Sequence, residues 1–254
     1  MMGVTFENTP KLFGIVHIST LLLIFIANIV LFPYLKAQKE EKLLKILHFS
    51  GLIMLVAEIF KQWFCYVYVF NRTINLWFFP WQLCSMAMYC AFFITFLHKE
   101  KDQNVLLVFL ASFSLFADII ALALPYDMLR DQILLVIHSF AYHGLIITQA
   151  IIAIIILSKR KRVTFTPSAC LFLVMALVAA VINTISHLIF NNIYVEPNMF
   201  YITFSYPTTQ PVFHDIAVRY GIFIEIILYL SLIILFSYLF FLIEKKLFFK
   251  KTAG

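Results

Sequence analysis

Seven stretches of this chain are long and apolar enough to cross a lipid bilayer, and that constrains the fold more than any motif does. A helix rises 1.5 Å per residue, so about 20 apolar residues cover the ~30 Å hydrocarbon core. The runs at about 11–35, 43–69, 76–97, 103–124, 132–157, 167–190 and 217–243 meet that length. Only 13% of residues are charged, against roughly 25% in soluble domains, so a soluble fold is excluded. The expected fold is all-α, a polytopic bundle of seven transmembrane helices. Residues 1–254 form a single membrane domain without internal repeat, soluble module or low-complexity tail.

The placement of charge orients the bundle. The net charge of +6 does not signal nucleic acid, because fourteen of the nineteen Lys and Arg residues flank the spans on one side. They are Lys36 to Lys45, Lys99 and Lys101, the run Lys159-Arg160-Lys161-Arg162, and Lys245 to Lys251. Basic residues gather on the cytoplasmic side, so the N-terminus is expected outside and the C-terminus in the cytoplasm. Trp63, Trp77 and Trp81 fall toward the outer side, as an interfacial aromatic belt does. Glu7 stands where a signal peptide would be basic, so the first span is expected to stay in the protein. Cys65, Cys84, Cys90 and Cys170 have neither metal nor disulfide spacing, and no cofactor motif is present, so no metal or cofactor is expected. The longest outer connection, 191–215, carries Pro197, Pro207 and Pro211 among many aromatics, which suits a loop folded back as a lid.

Within the third run, Pro80 reads as the first position of a helix, because proline lacks the N–H that would be unpaired there. Gln82 and Cys84 would then lie in the first turns, where the helix dipole favours a thiolate. Depth singles out the same residues. Cys84 is fifteen positions from Lys99, His143 fifteen from Ser158, Asp118 fifteen from Gln103, and Glu58 thirteen from Lys45. All four therefore lie roughly 20 Å from the lysine-marked edge. Asn183, His187, Glu225 and Arg219 fall at that level or farther out, while the inner half has almost no titratable groups. Intramembrane ionisable groups turn toward the bundle interior, so one polar cavity opening to the outer leaflet is expected. Glu58, Lys61 and Gln62 share a helix face, so that Glu58 and Lys61 neutralise each other; Asn183 and His187 share another. His138 and His143 are about 140° apart, which leaves one of them pointing directly at the cavity. Gly144 permits close approach of a helix or of substrate.

The run FPWQLCSMAMY, the Tyr142-His143-Gly144 triplet and the segment EPNMFYITFSYP followed by QPVF resemble the YwaF-like family of bacterial seven-helix membrane proteins, from the second span onward. That resemblance implies a multi-pass protein of the bacterial plasma membrane. More remotely, the layout is similar to eukaryotic multi-pass phospholipid acyltransferases, which implies a nucleophile at Cys84 and a base at His143. The family often has His where this chain has Gln82, so no base is expected there.

Three functional classes fit these residues. The first is cysteine-dependent acyl transfer on a membrane phospholipid: Cys84 attacks an ester, His143 activates it, and Asp118 or Asn183 orients the imidazole. Gln82, His138, Asn183, His187, Glu225 and Arg219 are the candidate substrate-binding residues. The second is a transporter or ligand-binding bundle with Glu58, Lys61, Asp118, Glu225 and Arg219 along its path. The third is a structural protein whose polar residues only join helices.

Overall fold

A computed structural model describes residues 4–190 and 197–249, and within them the chain is all-helical apart from one isolated β-bridge. Six helical stretches are long and apolar enough to span a membrane, and a seventh, Leu83–Phe96, is apolar but shorter. The protein is a multi-pass membrane protein.

The first helix, α1 (Ile15–Lys36), turns most of its apolar surface outward, as a lipid-facing helix does. The second, α2 (Glu40–Phe64), opens on Glu40 and Glu41, whose charges complement the positive helix N-terminus. It ends in a wide π turn at Cys65–Val69. Then α3 (Leu83–Phe93) runs on into a 3-10 turn at Ile94–Phe96. The fourth span is one continuous rod of α4 (Glu100–Val108), a π segment at Phe109–Ser114 and α5 (Leu115–Ala123). The remaining helices are α6 (Ile133–Leu157), α7 (Thr166–Phe190), the short α8 (Phe213–Tyr220) and α9 (Ile222–Leu247).

The central helix is α6, which meets α1, α2, α3, α4 and α5. The π segment is wholly buried beside it, and Phe113 stacks on Phe109, Phe165 and Phe172 at centroid distances of 5.2, 5.3 and 5.1 Å. Helices α2 and α3 approach so closely at Gly51 that an added Cβ would overlap the Phe92 backbone. Gly144 serves the same end more mildly: its missing Cβ faces Ile24 of α1, so it admits a helix and not substrate.

The third span departs from expectation. A 3-10 turn at Leu76–Phe78 comes first, and Pro80 lies outside any helix, its carbonyl accepting the Tyr89 hydroxyl at 3.0 Å. Gln82 is the extended residue that precedes the helix, so Cys84 is its second residue. The last span starts and ends later than expected. Gly221, with φ of 95°, separates α8 from α9, so Arg219 lies on α8 and is exposed.

The two ends are built differently. At the lysine-rich end the buried Arg160 guanidinium donates to Glu40 Oε1 at 2.6 Å, Gln103 Oε1 at 2.7 Å, Asn104 Oδ1 at 2.6 Å and the Glu100 carbonyl at 3.2 Å. Asn104 in turn donates to the Arg162 carbonyl. The inner half is less apolar than expected, since Glu244 is buried there and accepts from Ser112 at 3.4 Å. At the tryptophan-bearing end, the N-terminal segment straps the connection before α6: Phe6 N–H donates to the Asp131 carbonyl at 2.8 Å, and Thr5 bridges to Gln132.

Candidate functional site

The tryptophan-bearing end encloses a cavity of about 800 Å³, within the size range of small-molecule sites. Its walls come from the ends of α2, α5, α6 and α9, the approach to α3 and the long connection before α8. Cys84, His143, His138, Glu58, Lys61 and Gln82 all line it, so much of the polar set expected to gather at one depth shares one space.

His143 is the most constrained of these groups. Its Nδ1 meets Asp118 Oδ1 at 2.5 Å, across α5 and α6, with both side chains buried. A carboxylate fixes the tautomer by accepting Nδ1–H, which leaves Nε2 as the basic nitrogen. Cys84 is half-buried on the first turn of α3, with Ser85 beside it.

The second histidine lines the cavity as well. The expectation that only one of the pair faces it fails, because the cavity wraps a wide sector of α6 that also includes Leu135, Ser139 and Tyr142. His138 interacts with the Ala57 carbonyl of α2, its Nε2 has no hydrogen-bond partner among the described residues, and its ring stacks on Tyr142 at 5.7 Å.

The Glu58–Lys61 pair forms as helix spacing implies, with Nζ 2.6 Å from Oε1 and Gln62 donating to the same oxygen at 2.8 Å. Gln62 also donates to the Phe78 carbonyl. Lys61 stands 5.9 Å and Arg130 4.7 Å from the Phe78 ring centroid, so two cations flank one aromatic at the cavity wall. Arg130 Nε donates to the Asp127 carbonyl at 2.8 Å.

The described part of the connection before α8 contributes Phe200, Tyr201, Thr209, Gln210 and Pro211 to the cavity wall; residues 191–196 of the expected lid lie outside the described residues. Two amides hold it. Gln82 accepts from the Phe200 N–H at 2.9 Å and donates to the Asn198 carbonyl at 3.2 Å. Asn183 accepts from the Met199 N–H at 2.7 Å and donates to the Met199 carbonyl at 3.0 Å. Phe200 and Tyr201 between these contacts have φ of 57° and 58°, a left-handed pair that costs about 1–3 kcal/mol per residue unless held. The Tyr201 hydroxyl donates to Asp127 Oδ2 at 3.0 Å; burial, with the Asp127 charge adding, pushes its pKa up and keeps it a donor.

The candidate residues thus divide. Cys84, His143, Gln82 and His138 line the cavity, and Asp118 stands behind His143. Asn183 is bonded to the lid backbone, Arg219 is exposed on α8, and neither they nor His187 and Glu225 are among the lining residues. Tyr142, Ser85, Tyr229 and Arg130 line the cavity and were not singled out as site residues. For Tyr142 a signal was present, since it lies four positions after His138 and so shares its helix face. Among the described residues, no three His, Cys, Asp or Glu side chains cluster as metal ligands.

No curated protein and no solved structure matches the chain. The TMEM164 family, whose members cross the membrane several times, matches it over residues 12–244. With nearly the whole chain inside that match, and with the multi-pass helical fold just described, the chain belongs to the TMEM164 family.

Proposed function

We propose that this protein is a cysteine-dependent acyltransferase acting on membrane phospholipids, with Cys84 as nucleophile and His143 as its base. The observation that carries the reading is that a cysteine and an aspartate-bound histidine line one cavity within a membrane-spanning bundle. A cysteine activated by a neighbouring base, itself oriented by a third group, is the arrangement of nucleophilic acyl transfer. His143 Nε2 takes the thiol proton, and the sulfur attacks the ester carbonyl of a lipid. The C–O bond breaks, the leaving lipid hydroxyl receives the proton from His143, and the acyl group stays on Cys84 as a thioester. A second lipid hydroxyl then attacks that thioester, and its proton returns through His143 to the sulfur.

Several features suit a phospholipid. The lining is mostly apolar and aromatic, while Arg130 stands over Phe78 at the wall as a donor for a headgroup phosphate. The lysine-rich end faces the cytoplasm on the positive-inside bias, which puts the N-terminus and the cavity on the outer leaflet. In this reading Leu83–Phe96 completes a set of seven crossings, and the YwaF-like resemblance of the sequence is what favours a bacterial plasma membrane. A transporter would need a route on through the lysine-rich end, where the Arg160 contacts tie α2, α4 and the α6–α7 connection together.

The test is to incubate the purified protein in liposomes with a phosphatidylcholine carrying a fluorescent acyl chain. Wild type is expected to acquire a hydroxylamine-labile label at Cys84, and Cys84→Ser to acquire none. His143→Ala should slow labelling by about 10²–10⁴-fold without a change in melting temperature. An unlabelled wild type, or a label that persists in Cys84→Ser, overturns the proposal.

A further inference from the structure

The acyl-transfer reading leaves one demand unmet: attack on an ester creates an oxyanion, and in a low-dielectric cavity that charge needs a fixed donor. Three observations converge on Tyr142. Its hydroxyl is buried and makes no hydrogen bond of good geometry among the described residues. It lines the cavity together with Cys84 and His143. The Ser85 hydroxyl, on the residue next to Cys84, also lies within reach of the Tyr142 hydroxyl, which ties the phenol to the first turn of α3.

A phenol left without an acceptor is costly, because a buried unsatisfied polar group loses about 1–3 kcal/mol. Phenylalanine would fill the same space without that penalty. The ring is also held rather than loose: it stacks on His138 at 5.7 Å and 26°, and it meets His143 edge-on at 6.3 Å and 62°. Buried and rigid, with only the Ser85 hydroxyl in loose reach, it is a preorganised donor in the cavity of the nucleophile.

Resting on the acyl-transfer reading, we infer that Tyr142 donates its hydroxyl proton in a hydrogen bond to the oxyanion formed when Cys84 attacks the ester carbonyl. The sulfur–carbon bond forms as the carbonyl π pair moves onto oxygen, where the phenol stabilises it. When the pair returns, the lipid alkoxide leaves with the proton from His143. Tyr142 keeps its own proton throughout.

Two reactions of the same sulfur separate this role from a structural one. Transfer from the fluorescent phosphatidylcholine passes through an oxyanion, whereas alkylation of Cys84 by iodoacetamide is a displacement at carbon with none. Tyr142→Phe is expected to slow thioester formation about 100-fold while alkylation changes by less than about threefold. Its melting temperature should fall little, because the lost hydroxyl makes no hydrogen bond of good geometry. Incorporation of 3-fluorotyrosine at position 142 keeps the shape and strengthens the donor, so acylation should quicken with alkylation unchanged. Acylation that is unaffected in either variant, or acylation and alkylation that fall together in Tyr142→Phe, overturns the inference. If wild type acylates and Tyr142→Phe acylates equally, only this inference is lost. A wild type that never acylates removes the reading and the inference together.

Discussion

At the lysine-rich end of the bundle the Arg160 guanidinium gives its protons to Glu40, Gln103, Asn104 and a backbone carbonyl, and Asn104 passes a further bond to Arg162. At the other end His138 Nε2, Tyr142 Oη and Asp118 Oδ2 are buried without partners among the described residues, although each belongs to or backs the cavity wall. The first arrangement is how a fold satisfies charge it must bury, since a buried charge is tolerated when paired and hydrogen-bonded. The second is too costly to serve as scaffold, and intramembrane polar groups left in that state mark sites that receive something. The contrast is not absolute, because Glu244 Oε1 and the hydroxyls of Ser114 and Ser237 also lack partners. Those atoms line no described cavity, whereas His138 and Tyr142 do.

The difference can be broken by mutation, and the largest stability effect belongs to the closed end. Arg160→Met should cost about 3 kcal/mol, because it strands the side-chain oxygens of Asn104 and Gln103; the half-exposed Glu40 recovers water and limits the loss. Thermal unfolding in detergent would reveal it, and an unchanged melting temperature would mean that this end is not a clamp. A smaller effect is expected where the cavity wall contains a structural pair. Lys61→Met should cost about 2 kcal/mol by leaving the Glu58 carboxylate buried with only Gln62, and the double change Glu58→Leu with Lys61→Met should recover more than half of that. Equal damage from the single and double variants would assign the pair to function instead. Smallest of all is Tyr142→Phe, for which little stability loss is expected.

Much of this was legible in the chain. Lengths of apolar run located six spans, because the hydrocarbon thickness fixes how many residues a helix needs. Counting inward from the lysines brought Cys84, His143 and Asp118 to one level, and the i, i+3 spacing gave the Glu58–Lys61 pair. What failed did so for physical reasons. The third span is short because the chain turns at Pro80, with Trp81 N–H bonded to the Phe79 carbonyl and the Pro80 carbonyl taken by the Tyr89 hydroxyl, a contact across nine residues that no periodicity carries. Gln82 and Asn183 resembled substrate ligands, but their partners are backbone groups of the lid, 116 to 118 and 16 residues away, and backbone acceptors leave no sequence trace. Arg160 stood in a run of four basic residues, and nothing in Lys159-Arg160-Lys161-Arg162 tells which one is buried.

The most direct measurement compares the four cysteines within one protein, using a thiol-reactive probe that carries an acyl chain. Cys65 and Cys90 are buried, Cys84 is half-buried, and Cys170 is exposed on α7. Accessibility alone would make Cys170 the fastest to react. A thiol activated by His143 in a lipid-sized cavity should instead make Cys84 react about tenfold or more faster than Cys170, with the advantage lost in His143→Ala. Peptide mass mapping of the labelled protein reads all four rates at once. Cys170 labelled first, with Cys84 no faster than Cys65 or Cys90, would contradict a catalytic Cys84 and leave the cavity as a binding site without a nucleophile.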